Sequence, residues 1–113
     1  MSIKKHYLAL DLQDDPELIA QYKEYHAPGN VWPEVLQSLR DSGVVDMEIH
    51  LTGNRLFMVL EVDDTFDMER KARMDADNHK VQEWEELMMK FQKLLPWAQD
   101  GQKWVPMERV FKL

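Results

Sequence analysis

Between Lys5 and Leu12 the chain alternates. His6, Leu8, Leu10 and Leu12 fall on one side and Lys5, Tyr7, Ala9 and Asp11 on the other, a pattern that predicts a strand. Asp14-Asp15-Pro16-Glu17 then carries the marks of a helix start: an acidic cap, a proline in the first turn and acids near the positive end of the dipole. Leu18, Tyr22 and His26 recur every fourth residue along that helix, and Pro28-Gly29-Asn30 breaks it. A second helix is predicted from about Trp32 to Asp41, with Trp32, Val35, Leu36 and Leu39 as its apolar stripe and Gly43 just past its end. Val45, Met47, Ile49 and Leu51 alternate with Asp46, Glu48 and His50. A turn at Thr52-Gly53-Asn54 follows, and Leu56, Met58, Leu60 and Val62 mark the returning strand of a β-hairpin. Residues 65–75 suit a short charged helix. A longer helix follows, with Val81, Trp84, Leu87, Met88, Phe91, Leu94 and Leu95 on one stripe and Pro96 at its end. Trp97 to Val105 reads as a loop and Met107 to Leu113 as a closing strand.

The order β-α-α-β-β-α-α-β reduces to βαββαβ, the ferredoxin-like pattern of an α+β domain. It implies a four-stranded antiparallel sheet with helices on one face. The other face would expose apolar residues, which argues for a homodimer, sheet on sheet in the simplest case and edge to edge in the alternative. Neither a repeat nor a linker divides the chain, so residues 1–113 read as a single domain.

Composition narrows the function classes. The net charge is −7, and the lysines and arginines are dispersed among more numerous acids, which excludes the basic stripe of a nucleic-acid binder. No apolar run approaches the roughly 20 residues of a membrane span, and Met1-Ser2-Ile3-Lys4-Lys5-His6 opens no signal peptide, so a cytoplasmic protein is expected. The chain has no cysteine, which removes disulfides, thiolate catalysis and cysteine-bound metals and fits a reducing compartment.

Few residues are left to carry chemistry. Tyr22 and His26 are neighbours on one helix face, and a histidine at a helix end beside a tight turn can face a pocket, where the dipole favours its cationic form. Spacing alone favours the plainer reading of both as core residues with satisfied hydrogen bonds. Asp46, Glu48 and His50 share one side of a strand, which suits a metal through nitrogen and oxygen; a solvated face or a dimer rim is the commoner reading. Of the four tryptophans, Trp84 sits in the middle of a helical stripe, and core packing is the plain reading for each.

The segment Tyr22-Lys23-Glu24-Tyr25-His26-Ala27-Pro28, followed by Val31-Trp32-Pro33-Glu34-Val35, resembles the L-rhamnose mutarotase family, marked by Y-x-x-x-H-x-P and then W-P-E. Asp41-Ser42-Gly43 with the hairpin from Val44 to Val62, Val81-Gln82-Glu83-Trp84, and Met107-Glu108-Arg109-Val110-Phe111 extend the likeness over nearly the whole chain. The resemblance implies a ferredoxin-like α+β protein that dimerises through its sheets in a dimeric α/β-barrel-type assembly. It also implies a metal-free and cofactor-free interconversion of the anomers of a monosaccharide. By position, His26 would be the catalytic acid/base, Tyr22 would bind the sugar and Trp84 would line the pocket.

Two departures bear on the substrate. Met47 stands where the family commonly has a tyrosine in the first hairpin strand, and Trp84-Glu85 where it has a pair of tryptophans. An extra residue also lies between the proline and Trp32. The chain looks closer to an L-fucose mutarotase-like branch, so L-fucose is expected over L-rhamnose. Met47, Trp32, Glu85 and His50 join Trp84 as candidate sugar contacts, with Glu85 and His50 also candidates for a second acid/base. Two rivals are a cofactor-free oxygenase on the same dimeric fold and a non-catalytic sugar-binding module.

Overall fold

A computed structural model describes residues 2–113. Its elements run β1 (Lys4–Leu12), α1 (Pro16–Tyr25), α2 (Pro33–Asp41), β2 (Val44–Thr52), β3 (Arg55–Val62), α3 (Met68–Ala76), α4 (His79–Met89), β4 (Gln92–Lys93) and β5 (Val105–Pro106). The fold is mixed α+β. One antiparallel sheet has the order β2-β3-β1-β4, with β5 also on β1.

The hairpin forms where the turn residues place it. Gly53 and Asn54 are the only residues between the paired Thr52 and Arg55, and Gly53 takes a positive φ of 57° that a tight two-residue loop needs. Asn54 then ties the hairpin to the end of β1: its carbonyl accepts from the Leu12 N–H at 2.7 Å and its side-chain amide donates to the Leu12 carbonyl at 3.0 Å. Gly43 turns α2 into β2 at φ +100°. A methyl group there would lie 2.7 Å from Thr65 Oγ1 and 2.8 Å from Asp63 Oδ1, so only glycine fits.

Strand parity sorts the side chains. Leu8, Leu10 and Leu12 of β1 lie across from Met58, Leu56 and their neighbours of β3 on the face the helices cover. Tyr22, Val35, Trp84 and Met88 reach down from α1, α2 and α4 to pack with Leu12, Leu56 and Phe91. A second cluster of Leu8, Val44, Met58, Leu60 and Val62 fills the rest of that face. Burial of these side chains is the main term holding helices to sheet, on the order of 1.5–3 kcal/mol for each large aliphatic or aromatic group. The opposite face carries Tyr7, Ala9, Phe57 and Val59, half-buried, with Tyr7 and Phe57 meeting edge to face at 6.0 Å. Beside them Arg55 forms a two-pronged ion pair with Asp11, Nε to Oδ1 at 2.8 Å and the second nitrogen to Oδ2 at 3.1 Å, and its guanidinium lies over Trp97.

Three expectations are corrected. A β-bulge at Val45 shifts β2 by one residue, so Val44 takes the core position and Val45 is 52% exposed. The last helix stops at Met89, and Gln92 and Lys93 pair with Leu12 and Asp11. The predicted closing strand over Met107–Leu113 does not form. Val105 and Pro106 pair with β1, the Met107 N–H donates to the Tyr7 carbonyl at 2.8 Å, and Val110 and Phe111 are left exposed. Continuing that register would bring the chain to the start of β1 by Val110, leaving Phe111–Leu113 no strand to join. Two short strands thus share one edge of β1 in place of a single long one.

Candidate active site between the first helix and the hairpin

Asp15 caps α1, its Oδ1 accepting from the backbone N–H groups of Glu17 at 2.9 Å and Leu18 at 3.2 Å. At the other end His26 is the C-cap, and the turn beyond it is stitched by the Asn30 side-chain amide donating to the Glu24 carbonyl at 2.7 Å. The helix α1 is therefore held at both of its ends. Tyr22 and His26 sit one above the other on it, with rings stacked at 4.2 Å and 29°.

A cleft of about 160 Å³ opens between this turn and the hairpin, lined by Tyr22, Lys23, His26, Ile49, Leu51 and Leu56. Its scale suits one small molecule, below the range of drug-sized ligands. Trp84 stands edge-on to His26 at 5.5 Å and to Trp32 at 5.2 Å. Tyr25 joins them, 6.3 Å from Trp84 and 5.7 Å from Phe91. A more open hollow of about 340 Å³ lies around the helix end, lined by Glu24, Tyr25, Gly29, Asn30 and Trp32.

His26 Nδ1 lies 2.8 Å from the Tyr22 carbonyl. A carbonyl can only accept, so Nδ1 carries the proton and the lone pair of the neutral ring is on Nε2. Burial pushes the His26 pKa below its ordinary 6.5, and the hydrogen bond to the Tyr22 carbonyl offsets part of that. The direction is opposite to the cationic preference expected of a histidine at a helix end. Tyr22 is only 4% exposed, and burial pushes its phenol up to about 12, with the Gln92 side chain offsetting part of the rise. Near neutral pH the pair is a neutral imidazole with a free basic nitrogen beside a neutral phenol.

The remaining candidates are distributed unequally. Trp84 and Trp32 stand with the pair, and Trp32 also has Lys80 Nζ 5.9 Å over its ring. Met47 shares the helix-facing side of β2 but packs into the second core cluster, while Ile49 and Leu51 line the cleft. Glu85 faces α3: Gln82 Nε2 donates both to the Asp75 carbonyl at 2.8 Å and to Glu85 Oε2 at 3.3 Å. His50 pairs opposite Phe57 on the other face of the sheet, with Nε2 3.6 Å from Glu48 Oε1, and so is turned away from His26. Among the described residues no three His, Cys, Asp or Glu side chains converge as a metal site requires, and Asp46, Glu48 and His50 do not do so. The contributions of Ile49, Leu51 and Leu56 were readable in principle. The two-residue turn sets Leu51 across from Leu56, on the inner face.

The sequence and the fold recur in known proteins. Residues 5–113 match the family model described as L-rhamnose mutarotase. An L-fucose mutarotase from Xanthomonas campestris pv. campestris is 44% identical over 113 residues, covering 100% of this chain and 90% of its own. An L-rhamnose mutarotase from Rhizobium leguminosarum bv. trifolii is 39% identical over 62 residues, 53% of this chain and 55% of its own. The crystal structure of an L-rhamnose mutarotase from Formosa agariphila superposes with a TM-score of 0.69 at 26% identity, covering 97% of this chain and 98% of that one. The chain belongs to the L-rhamnose mutarotase family, sugar mutarotases that are isomerases of carbohydrates. Among the described residues no helix is long and apolar enough to cross a membrane.

Proposed function

We propose that this protein interconverts the α and β anomers of a 6-deoxy-L-hexose, L-fucose in preference to L-rhamnose, with His26 as the acid/base. The observation that carries the reading is the stacked Tyr22–His26 pair in a small cleft, with His26 neutral and its basic nitrogen free. His26 Nε2 takes the proton of the anomeric hydroxyl as the bond from C1 to the ring oxygen breaks and the open-chain aldehyde forms. The ring oxygen takes a proton from solvent water, and the imidazolium of His26 holds the one removed until reclosure. Rotation about C1–C2 presents the other face of the carbonyl, and reclosure runs the transfers backwards. Tyr22 hydrogen-bonds an oxygen at the anomeric centre, while Trp84 backs the His26 ring and Trp32 lines the adjoining hollow. A positioned acid/base of this kind contributes about 10²–10⁴-fold.

The preference for L-fucose rests on the full-length likeness to a relative of that name. Exchange NMR on equilibrated L-fucose, L-rhamnose and D-galactose tests it. The expected order of acceleration is L-fucose first and L-rhamnose second. Faster exchange of L-rhamnose than of L-fucose would refute the preference, and tight binding of either sugar without faster exchange would leave a sugar-binding module.

We read the fold as ferredoxin-like and the working form as a homodimer joined through the open sheet faces, in support of which Tyr7, Ala9, Phe57 and Val59 lie on the face away from both core clusters. Light scattering on a purified sample is expected to give twice the chain mass of 13.5 kDa, and the single-chain mass would refute the dimer. A cytoplasmic location accords with a chain without cysteine.

A further inference from the structure

We propose that residues 108–113 of one copy add as an extra strand to the free edge of β2 in a second copy, where Phe111 and Leu113 extend the wall of the cleft beyond Ile49 and Leu51. The proposal rests on the homodimer and on the assignment of the cleft made above.

Residues 108–113 carry unmet backbone groups and unmet apolar surface. Beyond the Met107 N–H, which donates to Tyr7, no backbone hydrogen bond among the described residues holds them. Val110 is 90% exposed, Phe111 76% and Leu113 wholly. Single exposed apolar residues are ordinary on a protein surface. Three within four positions, none of them in either core cluster, mark a contact surface.

β2 shows the complementary deficit. It ends the sheet, and β3 is its one partner among the described residues, so Val44–Thr52 presents an unpaired edge. Long free edges pair readily with another chain and are normally blocked or covered. The inner side of β2 also lacks cover. Leu51 stands across from Leu56, yet Leu51 is 37% exposed and Leu56 1%. Ile49 and Leu51 line the cleft, which therefore reaches the last strand of the sheet with no strand beyond it.

One added strand answers both deficits. Alternate residues of a strand share a side, so Phe111 and Leu113 stand together and Lys112 opposes them. Phe111 and Leu113 then continue the inner row of Met47, Ile49 and Leu51. Lys112 falls on the side of Asp46 and Glu48, where opposite charges meet across neighbouring strands. The chain's own β2 does not offer this edge. β5 pairs on the far side of β1, with β1 and β3 between it and β2, and reaching that edge would mean crossing a face of the sheet. A second copy offers it without the crossing, and two-fold symmetry makes the exchange reciprocal and closed.

The chain has no cysteine, so a spin label on Leu113→Cys sits at one defined place, and the exposure of Leu113 keeps the label clear of the core. In dimers that pair a spin-labelled copy with an isotope-labelled one, the amides from Asp46 to Leu51 of the isotope-labelled copy are expected to broaden. Phe111→Asp is expected to raise the KM for L-fucose roughly tenfold with kcat nearly unchanged, in a protein that still scatters light as two chains. Broadening confined to other strands, or none in a sample that scatters as a dimer, would overturn the proposal and leave the dimer standing. An unchanged KM in Phe111→Asp would overturn the contribution to the cleft. A sample that scatters as single chains overturns dimer and strand exchange together. The broadening does not depend on activity, whereas full activity in His26→Gln would defeat the cleft assignment whatever the spectra show.

Discussion

His26→Ala is expected to remove the acceleration of anomer exchange by about 10²–10⁴-fold while leaving the fold in place. The imidazole is half-buried at the helix end, and among the described residues its one hydrogen bond is to the Tyr22 carbonyl one turn back. Its loss removes the base and the stacking on Tyr22, but it opens no large cavity in either core cluster. Far-ultraviolet circular dichroism and the thermal midpoint should therefore stay close to those of the parent protein. Exchange NMR with L-fucose is the readout. Near-full activity in a folded His26→Ala protein would place the chemistry elsewhere.

Phe91→Ala is expected to cost about 3–5 kcal/mol of stability, read as a lowered midpoint in urea. Phe91 is 2% exposed, and its ring supports those of both Tyr22 and Tyr25. Its carbonyl also accepts from the Gln13 N–H at 2.8 Å, joining the end of β1 to the segment after α4. A total stability of about 5–15 kcal/mol leaves little after such a loss. Activity should fall with it, because Tyr22 loses the surface that holds its ring. Leu94→Ala, three residues on and 58% exposed, should change stability by no more than about 0.5 kcal/mol. Equal effects of the two substitutions would contradict the packing described.

The contrast between Phe91 and Leu94 shows where a periodic pattern stops being informative. Both fit the apolar stripe that begins at Val81, and no glycine or proline intervenes before Pro96. The helix nonetheless ends at Met89, because the free edge of β1 takes up Gln92 and Lys93. That competition is tertiary and leaves no local mark. The bulge at Val45 is hidden for a similar reason: Val44 and Val45 are alike in hydropathy, and only the pairing with Val62 and Glu61 decides which faces in. The alternation in Met107–Leu113 predicted a strand that lacks an edge to join. By contrast, Asp15-Pro16, Gly43 and Gly53-Asn54 act through their own backbone and side-chain chemistry, and the elements they bound lie where the sequence places them.

The site divides along the same line. That Tyr22 and His26 are neighbours was legible from helical spacing, but spacing alone favoured a core role, and the family resemblance pointed to the site. Trp84 and Trp32 needed the family resemblance, since an apolar stripe alone reads as core. His50 was misplaced because strand parity separates it from Ile49 and Leu51, and nothing in the local pattern tells which side of the hairpin the helices cover.

The measurement that bears most directly on the central claim is anomer exchange of equilibrated L-fucose, with catalytic protein, from pH 8 down to pH 5. His26 acts as a base and must be neutral, and its pKa in the folded protein lies below 6.5. The acceleration over buffer should therefore hold steady from pH 8 to about 6.5 and decline as the pH falls through that lowered value. Tyr22, pushed up to about 12, stays protonated throughout the range and adds no alkaline limb. An acceleration that follows this course supports anomer conversion at the Tyr22–His26 cleft. No acceleration at any pH, or one that grows as the solution is acidified, would contradict it.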